Sequence, residues 1–269
     1  MTVPRSWFPS GLNEGDTVTL TKPKTSKWIL DKMINTHDEQ CRDRTLDSYV
    51  AVLFECHNAT NGEEAFMRVY VQVPHTGYED ADKATRAREA TEFTPPELKA
   101  YKFLTDKGSQ NTPPLLAYKL GTQGSSGIVP KGHITWIVWK KVPGKPLGDF
   151  RSAFVYWDMS PDERKRVREA FLRELPKAKR SGYFPEGAKP HNLIWDENNG
   201  ALYVAHHSIL GVRLTYGGSY FVGFWDAMPF KAKGEFNEAW LPRFDLARPP
   251  QKHFRRDIDY NGDISDWKL

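Results

Sequence analysis

Apolar side chains fall along this chain in short, differently spaced runs. Asp47–Cys56 and Glu64–Val73 are rich in β-branched and aromatic residues, and the stretch between them, His57–Glu63, holds Asn58, Asn61 and Gly62. Two such runs around turn-forming residues predict an antiparallel hairpin. Trp28-Ile29-Leu30 predicts an earlier strand, and His133–Trp139 a later one. Residues 1–27 mix turn formers with the run Thr17–Leu20 and receive no assigned element. A polar excursion, Pro74–Thr94, ends at Pro95-Pro96, after which Glu97–Leu104 takes helical spacing.

The longest helical pattern begins at Ser160-Pro161-Asp162-Glu163, a capping box with proline in the first turn. Val167, Ala170, Phe171, Leu175 and Ala178 recur near 3.6 residues on one face. Pro176 is expected to kink this helix or end it early. Beyond it, Leu193–Tyr203 reads as strand, turn, strand. Residues 229–269 are Pro-rich and charged, with Trp240 and Trp267 as packing anchors.

The sequence has 269 residues, enough for two lobes with their own cores sharing one cleft. A 39% hydrophobic content with nine Trp, eleven Tyr and fifteen Phe implies a folded chain. No run approaches the ~18 apolar residues of a membrane span, and Met1–Leu20 lacks the apolar core of a secretory signal. Cys41 and Cys56 offer neither metal spacing nor a disulfide framework. The expected setting is the cytoplasm or nucleus, without membrane association. The net charge of +4 is spread over 38 basic and 34 acidic residues, which disfavours a nucleic-acid partner. The basic side of the long helix reads as a solvated exterior, because no aromatic residues interleave its charges.

The stretch that carries candidate chemistry is 182–196, where Lys189-Pro190-His191-Asn192-Leu193-Ile194 follows the long helix and runs into an apolar strand. It resembles the catalytic loop of protein kinases and aminoglycoside or choline phosphotransferases, in which an Asp handles the acceptor hydroxyl and an Asn holds magnesium. Asn192 takes the Asn position and Gly187 stands where the Asp belongs. Glu186, Lys189 and His191 are the remaining candidates for catalysis. In Ala65-Phe66-Met67-Arg68, Arg68 occupies the place of the phosphate-gripping lysine, and Glu97 is its candidate helix partner. The run His133–Leu147, with Trp139, Lys140, Lys141 and Val142 before Pro143-Gly144, resembles the hinge that contacts adenine. Asn111–Tyr118 resembles the start of a strand common in small-molecule kinases. The expected glycine-rich loop is absent, since no glycine lies between Lys22 and Val50.

The magnesium aspartate is also replaced. One alignment puts His206 in its place; the other puts Gly223 there and makes Val204–Tyr220 an insertion or a retained intron. Asp226, with Asn192, is then the candidate metal ligand. Asp196 is a further candidate, and a His206–His207 metal pair is opposed by strand alternation, which points the two to opposite faces.

Taken together, the chain resembles degenerate fungal members of the protein-kinase-like, aminoglycoside-phosphotransferase-like group over about Asp47–Asp226. The resemblance implies a two-lobed α+β fold: an N-lobe over 1–140, with an antiparallel sheet and one helix, and a reduced, mainly helical C-lobe over 141–269. ATP and magnesium are the cofactors it implies. Three functions follow as expectations. The first is a pseudokinase that binds or scaffolds an unidentified protein or small molecule. The second is an active phosphotransferase on a small hydroxyl compound, with Glu186 as base. The third is a different enzyme working in the same cleft.

Overall fold

The computed structural model describes residues 3–149, 151–180, 184–185, 190–204, 224–225, 238–249 and 266–269. In chain order the elements are β1 (Thr17–Leu20), β2 (Ser26–Glu39), β3 (Tyr49–Asn58), β4 (Glu64–Gln72), α1 (Lys83–Ala87), α2 (Pro96–Asp106), β5 (Leu115–Thr122), β6 (His133–Lys140), β7 (Lys145–Pro146), α3 (Phe154–Trp157), α4 (Pro161–Arg180), β8 (Phe184–Pro185), β9 (Leu193–Asp196), β10 (Ala201–Val204) and β11 (Phe224–Trp225). They divide into two compact units. Among the described residues, the first takes 3–105 and 114–141, and the second takes 106–113 and everything after 141.

The first unit is built on an antiparallel sheet in the order β1-β2-β3-β4-β6-β5. Just past β1, Lys22 bridges Tyr118 of β5 through two backbone hydrogen bonds of 2.9 and 3.1 Å. That bridge links the chain just past one end strand to the other end strand, so the sheet curls toward a barrel. Val52, Phe54, Met67, Val69, Ile134 and Val138 alternate onto the inner side and form its core, which Phe8 and Leu12 join. The outer side of β4 is buried as well, so Ala65–Gln72 is buried on both faces, with Arg68 and Gln72 as polar residues within it. Helix α2 buries Glu97, Leu98, Ala100, Tyr101 and Leu104.

Several expectations need correction here. Thr17–Leu20, left without an element, pairs with β2 in the register Thr17↔Ile29 to Leu20↔Ser26. Strand β2 extends far beyond Trp28–Leu30, because two register shifts, at Leu30/Lys32 and Met33/Asn35, interrupt its alternation. The unit carries a second, five-residue helix, α1, inside the segment expected to be a plain excursion. Asp82 caps it, accepting the Thr85 N–H at 2.9 Å.

In the second unit α4 runs through Pro176 to Arg180 instead of stopping early. Burial of Val167, Ala170, Phe171 and Leu175 in the core outweighs the one backbone hydrogen bond that proline removes. The capping box is half made: Ser160 Oγ accepts the Glu163 N–H at 3.2 Å. The Glu163 carboxylate turns instead to Arg166 at 2.7 Å and to the Trp195 indole N–H. A small sheet, β10-β9-β7, packs into this core, and β8 pairs with β11. Gly144, at φ +110°, lies so close to the Trp195 carbonyl that no side chain fits there. Asn111 ties 106–113 into the unit: its side chain donates to the Glu174 carbonyl at 3.0 Å, and its carbonyl accepts the Val204 N–H at 2.8 Å. Trp267 is buried and Trp240 packs against the same core. Among the described residues no helix is long and apolar enough to cross a membrane.

Candidate functional site

Strand β4 aims Phe66, Arg68 and Tyr70 to the outer side of the barrel, and β6 brings Ile137 opposite Arg68 and Trp139 opposite Phe66. Arg68 Nη1 donates to Glu97 Oε1 at 2.7 Å, and the Tyr70 hydroxyl donates to Glu97 Oε2 at 2.7 Å. The ion pair is enclosed, with side-chain exposures of 4% and 1%. The Arg68 guanidinium carbon lies 5.3 Å from the centroid of Trp139, and Tyr101 stacks on that indole at 5.2 Å. Arg68 Nη2 is buried without a hydrogen-bond partner, so the indole face supplies its remaining stabilisation.

Burial by itself would lower the Arg68 pKa. The Glu97 carboxylate overrides it, and the guanidinium is held charged above its ordinary value. Burial, and then the charge of Glu97, push the phenols of Tyr70 and Tyr101 above theirs, so Tyr70 remains a donor.

Helix α2 places Glu97 in its first turn, where the helix dipole favours an acid. Tyr70 was missed by sequence reasoning. It stands two residues beyond Arg68, and strand period alone puts both on one face. Phe66, 9% exposed, is tilted against Trp139 at 6.1 Å. The outer face around Arg68 is therefore occupied by the chain's own rings.

The β2–β3 connection, 40–48, holds the place of a glycine-rich loop and is tied down elsewhere. Gln40 Nε2 donates to the Pro74 carbonyl at 2.9 Å and to Glu79 at 2.7 Å. Thr76 N–H donates to the Cys41 carbonyl at 2.9 Å, and Val73 N–H to the Ser48 carbonyl at 3.0 Å. His75 Nε2 lies 3.0 Å from the Leu46 carbonyl oxygen. Hydrogen bonds from the segment after β4 thus fasten both ends and the middle of this loop.

At the hinge-like run, Trp139 is fully buried. Lys140 N–H donates to the Pro114 carbonyl at 3.0 Å, and Lys141 N–H to the Glu64 carbonyl at 3.3 Å. Their ammonium groups pair with Glu63 at 3.4 Å and with Glu55 at 3.6 Å. Val142 begins the second unit.

In the second unit Pro190, His191 and Asn192 form a buried 3-10 turn leading directly into β9. Asp149, half-buried in the same unit, has its carboxyl held low by the N–H groups of Ser152 and Arg151, with smaller contributions from the charges of Arg151 and then His191. Asp196 is buried and committed to its own turn, accepting from Asn198 N–H at 3.2 Å and Asn199 Nδ2 at 2.7 Å. Glu186, Gly187, Lys189, His206, His207, Gly223 and Asp226 lie outside the described residues. Among those described, no three His, Cys, Asp or Glu side chains gather as metal ligands.

No family profile and no curated protein matches the chain. Solved structures similar to it include the Cydia pomonella granulovirus kinase PK-1, at 10% identity and TM-score 0.37 over 63% of this chain and 50% of that one. Vaccinia related kinase 3 is similar at 13% identity and TM-score 0.36, over 74% and 53%. The chain spans about half the length of each.

Proposed function

We propose that this protein is a catalytically degenerate, kinase-like module that binds or scaffolds a partner and transfers no phosphate. The observation that carries this reading is the enclosure of Arg68. A phosphate-gripping cation needs donors that ligand oxygens can reach. Arg68 gives one donor to Glu97, faces Trp139, and is 4% exposed. Its fork-shaped head, larger than an ammonium, is spent on the fold. Phe66 and Trp139 fill the same face, and the tethered 40–48 loop has no glycine with which to approach phosphates. Replacing the loop acid by Gly187 removes general base catalysis worth ~10² to 10⁴ in rate. Asp196, spent on its own turn, is a poor substitute for the lost magnesium aspartate.

The partner is an unidentified protein or small molecule. Phosphotransfer through Glu186 and Asp226 is the rival reading, and one assay separates the two. Purified protein is incubated with labelled MgATP and a panel of small hydroxyl compounds, alongside Glu186→Gln. The degenerate reading expects transfer and hydrolysis at the no-protein background for both proteins. Turnover above background that Glu186→Gln abolishes would overturn it in favour of a phosphotransferase.

A further inference from the structure

We propose a second site, independent of the one above: a phosphate-ester site in the second unit, built around Trp157. The last residues of α3 are fixed from the 238–249 segment. The Trp157 indole N–H donates to the Asp245 carbonyl at 2.9 Å, and the Tyr156 hydroxyl donates to the Leu246 carbonyl at 2.9 Å. Three cations approach the one ring: Arg248 at 4.4 Å, and Arg164 and Lys268 at 5.3 Å each. Trp157 is thus approached by three cations at once. A fourth cation, Arg168, donates through Nη1 to the Tyr156 hydroxyl at 2.8 Å.

Among the described residues, one carboxylate is paired within this group. Asp245 holds Arg248 through two contacts of 3.0 Å and takes the Ala153 N–H at 2.8 Å. It does so in a left-handed backbone conformation, φ +56°, which a non-glycine residue keeps only when its surroundings impose it. Arg164, Arg168 and Lys268 form no ion pair among the described residues. Of the nearby described acids, Asp158, Asp162 and Asp266 are exposed and form no ion pair, and Glu163 is engaged with Arg166 and Trp195.

Arg164 is the least satisfied of the group. One nitrogen makes a long 3.4 Å contact to the Trp157 carbonyl, and its Nε is buried with no acceptor. A guanidinium with five donors and one weak bond, over the same indole as an ammonium that forms no ion pair among the described residues, lacks an acceptor-only anion. A phosphate monoester supplies that, with close to two negative charges and three acceptor oxygens. Arg164 and Lys268 bind it, Arg168 adds field, and Arg248 with Asp245 holds the ring in place.

The test is calorimetric titration of the full chain with sodium phosphate, a sugar phosphate and a phosphoserine peptide, at ionic strength held constant with chloride. Saturable binding of phosphate or either ester is expected. The variant Arg164→Gln/Lys268→Gln should weaken it about tenfold or more, while Lys165→Gln on the same helix leaves it unchanged. Lys268→Gln alone, at an exposed position, serves if the double variant fails to fold, and should weaken binding in the same direction. Tighter binding of the peptide than of the sugar phosphate identifies a phosphorylated protein as the source, and the reverse identifies a metabolite. Heats no larger than chloride produces, or an equal loss in Lys165→Gln, overturn the proposal.

Discussion

The arginine-and-tryptophan clusters around Trp139 in the first unit and Trp157 in the second differ in how the cation is satisfied. Around Trp139, Arg68 has a buried carboxylate partner, a tyrosine that closes the carboxylate's other oxygen, and almost no exposure. Around Trp157, Arg248 is paired with Asp245 while Arg164 and Lys268 form no ion pair among the described residues, and Arg164 Nε is buried without an acceptor. A similar pairing of side chains therefore yields opposite chemistry. In the first cluster the cation is enclosed and paired, and in the second Arg164 forms no ion pair among the described residues. Arginine beside tryptophan marks a ligand site only when its charge has not already been neutralised.

The largest predicted effect comes from breaking the closed cluster. Glu97→Ala strands a buried guanidinium and should lower unfolding stability by about 3–5 kcal/mol, read by urea denaturation. Replacing both partners, Arg68→Met with Glu97→Leu, should restore most of the loss, since no uncompensated charge remains. If Glu97→Ala were neutral, Arg68 would be reaching another anion and the contrast between the clusters would fail.

A smaller loss, about 1–3 kcal/mol, is expected for Asn111→Ala, which deprives the Glu174 carbonyl of its side-chain donor while leaving the Asn111 carbonyl in place. Smaller again is a pH effect. Burial holds His133 below its ordinary value of 6.5, against the opposing Asp47 charge and the Thr91 backbone. Above 6.5 both folded and unfolded forms are neutral. As pH falls through 6.5, the unfolded chain gains a proton that folded His133 refuses, so stability declines until its depressed folded value is reached. Melting temperatures between pH 7.5 and 5 should show this decline, flattened in His133→Gln. The smallest effect is Lys268→Gln, which should change stability by no more than about 0.5 kcal/mol in the absence of phosphate.

How much the sequence disclosed varies by element. The β3–β4 hairpin was legible because β-branched runs flank turn residues, and α4 because its apolar face keeps a 3.6 period. Strand β2 was not, because its bulges break the alternation that would announce it. Pro176 misled for another reason: local propensity forbids what tertiary burial of Phe171 and Leu175 enforces. Arg68 and Glu97 were singled out only through a resemblance, and the structure brings them together; that their pairing is structural is the present proposal. Tyr70 needed only the strand period. The tether of 40–48 to 73–79 and the convergence of Arg248 and Lys268 on Trp157 join residues distant in sequence, which no local pattern encodes. Glu186, Lys189 and Asp226 lie outside the described residues, so Gly187 remains the strongest sequence argument about the loop.

The measurement that bears most directly on the central claim is a thermal-shift titration with ATP and with ADP, each with and without magnesium. A ligand at about 100 times its dissociation constant stabilises a fold by ~2.7 kcal/mol, roughly 5–10 °C for a chain of this size. With Arg68 paired to Glu97 and Phe66 and Trp139 covering the same face, no magnesium-dependent shift is expected for either nucleotide. A saturable magnesium-dependent shift that Arg68→Met removes would contradict it.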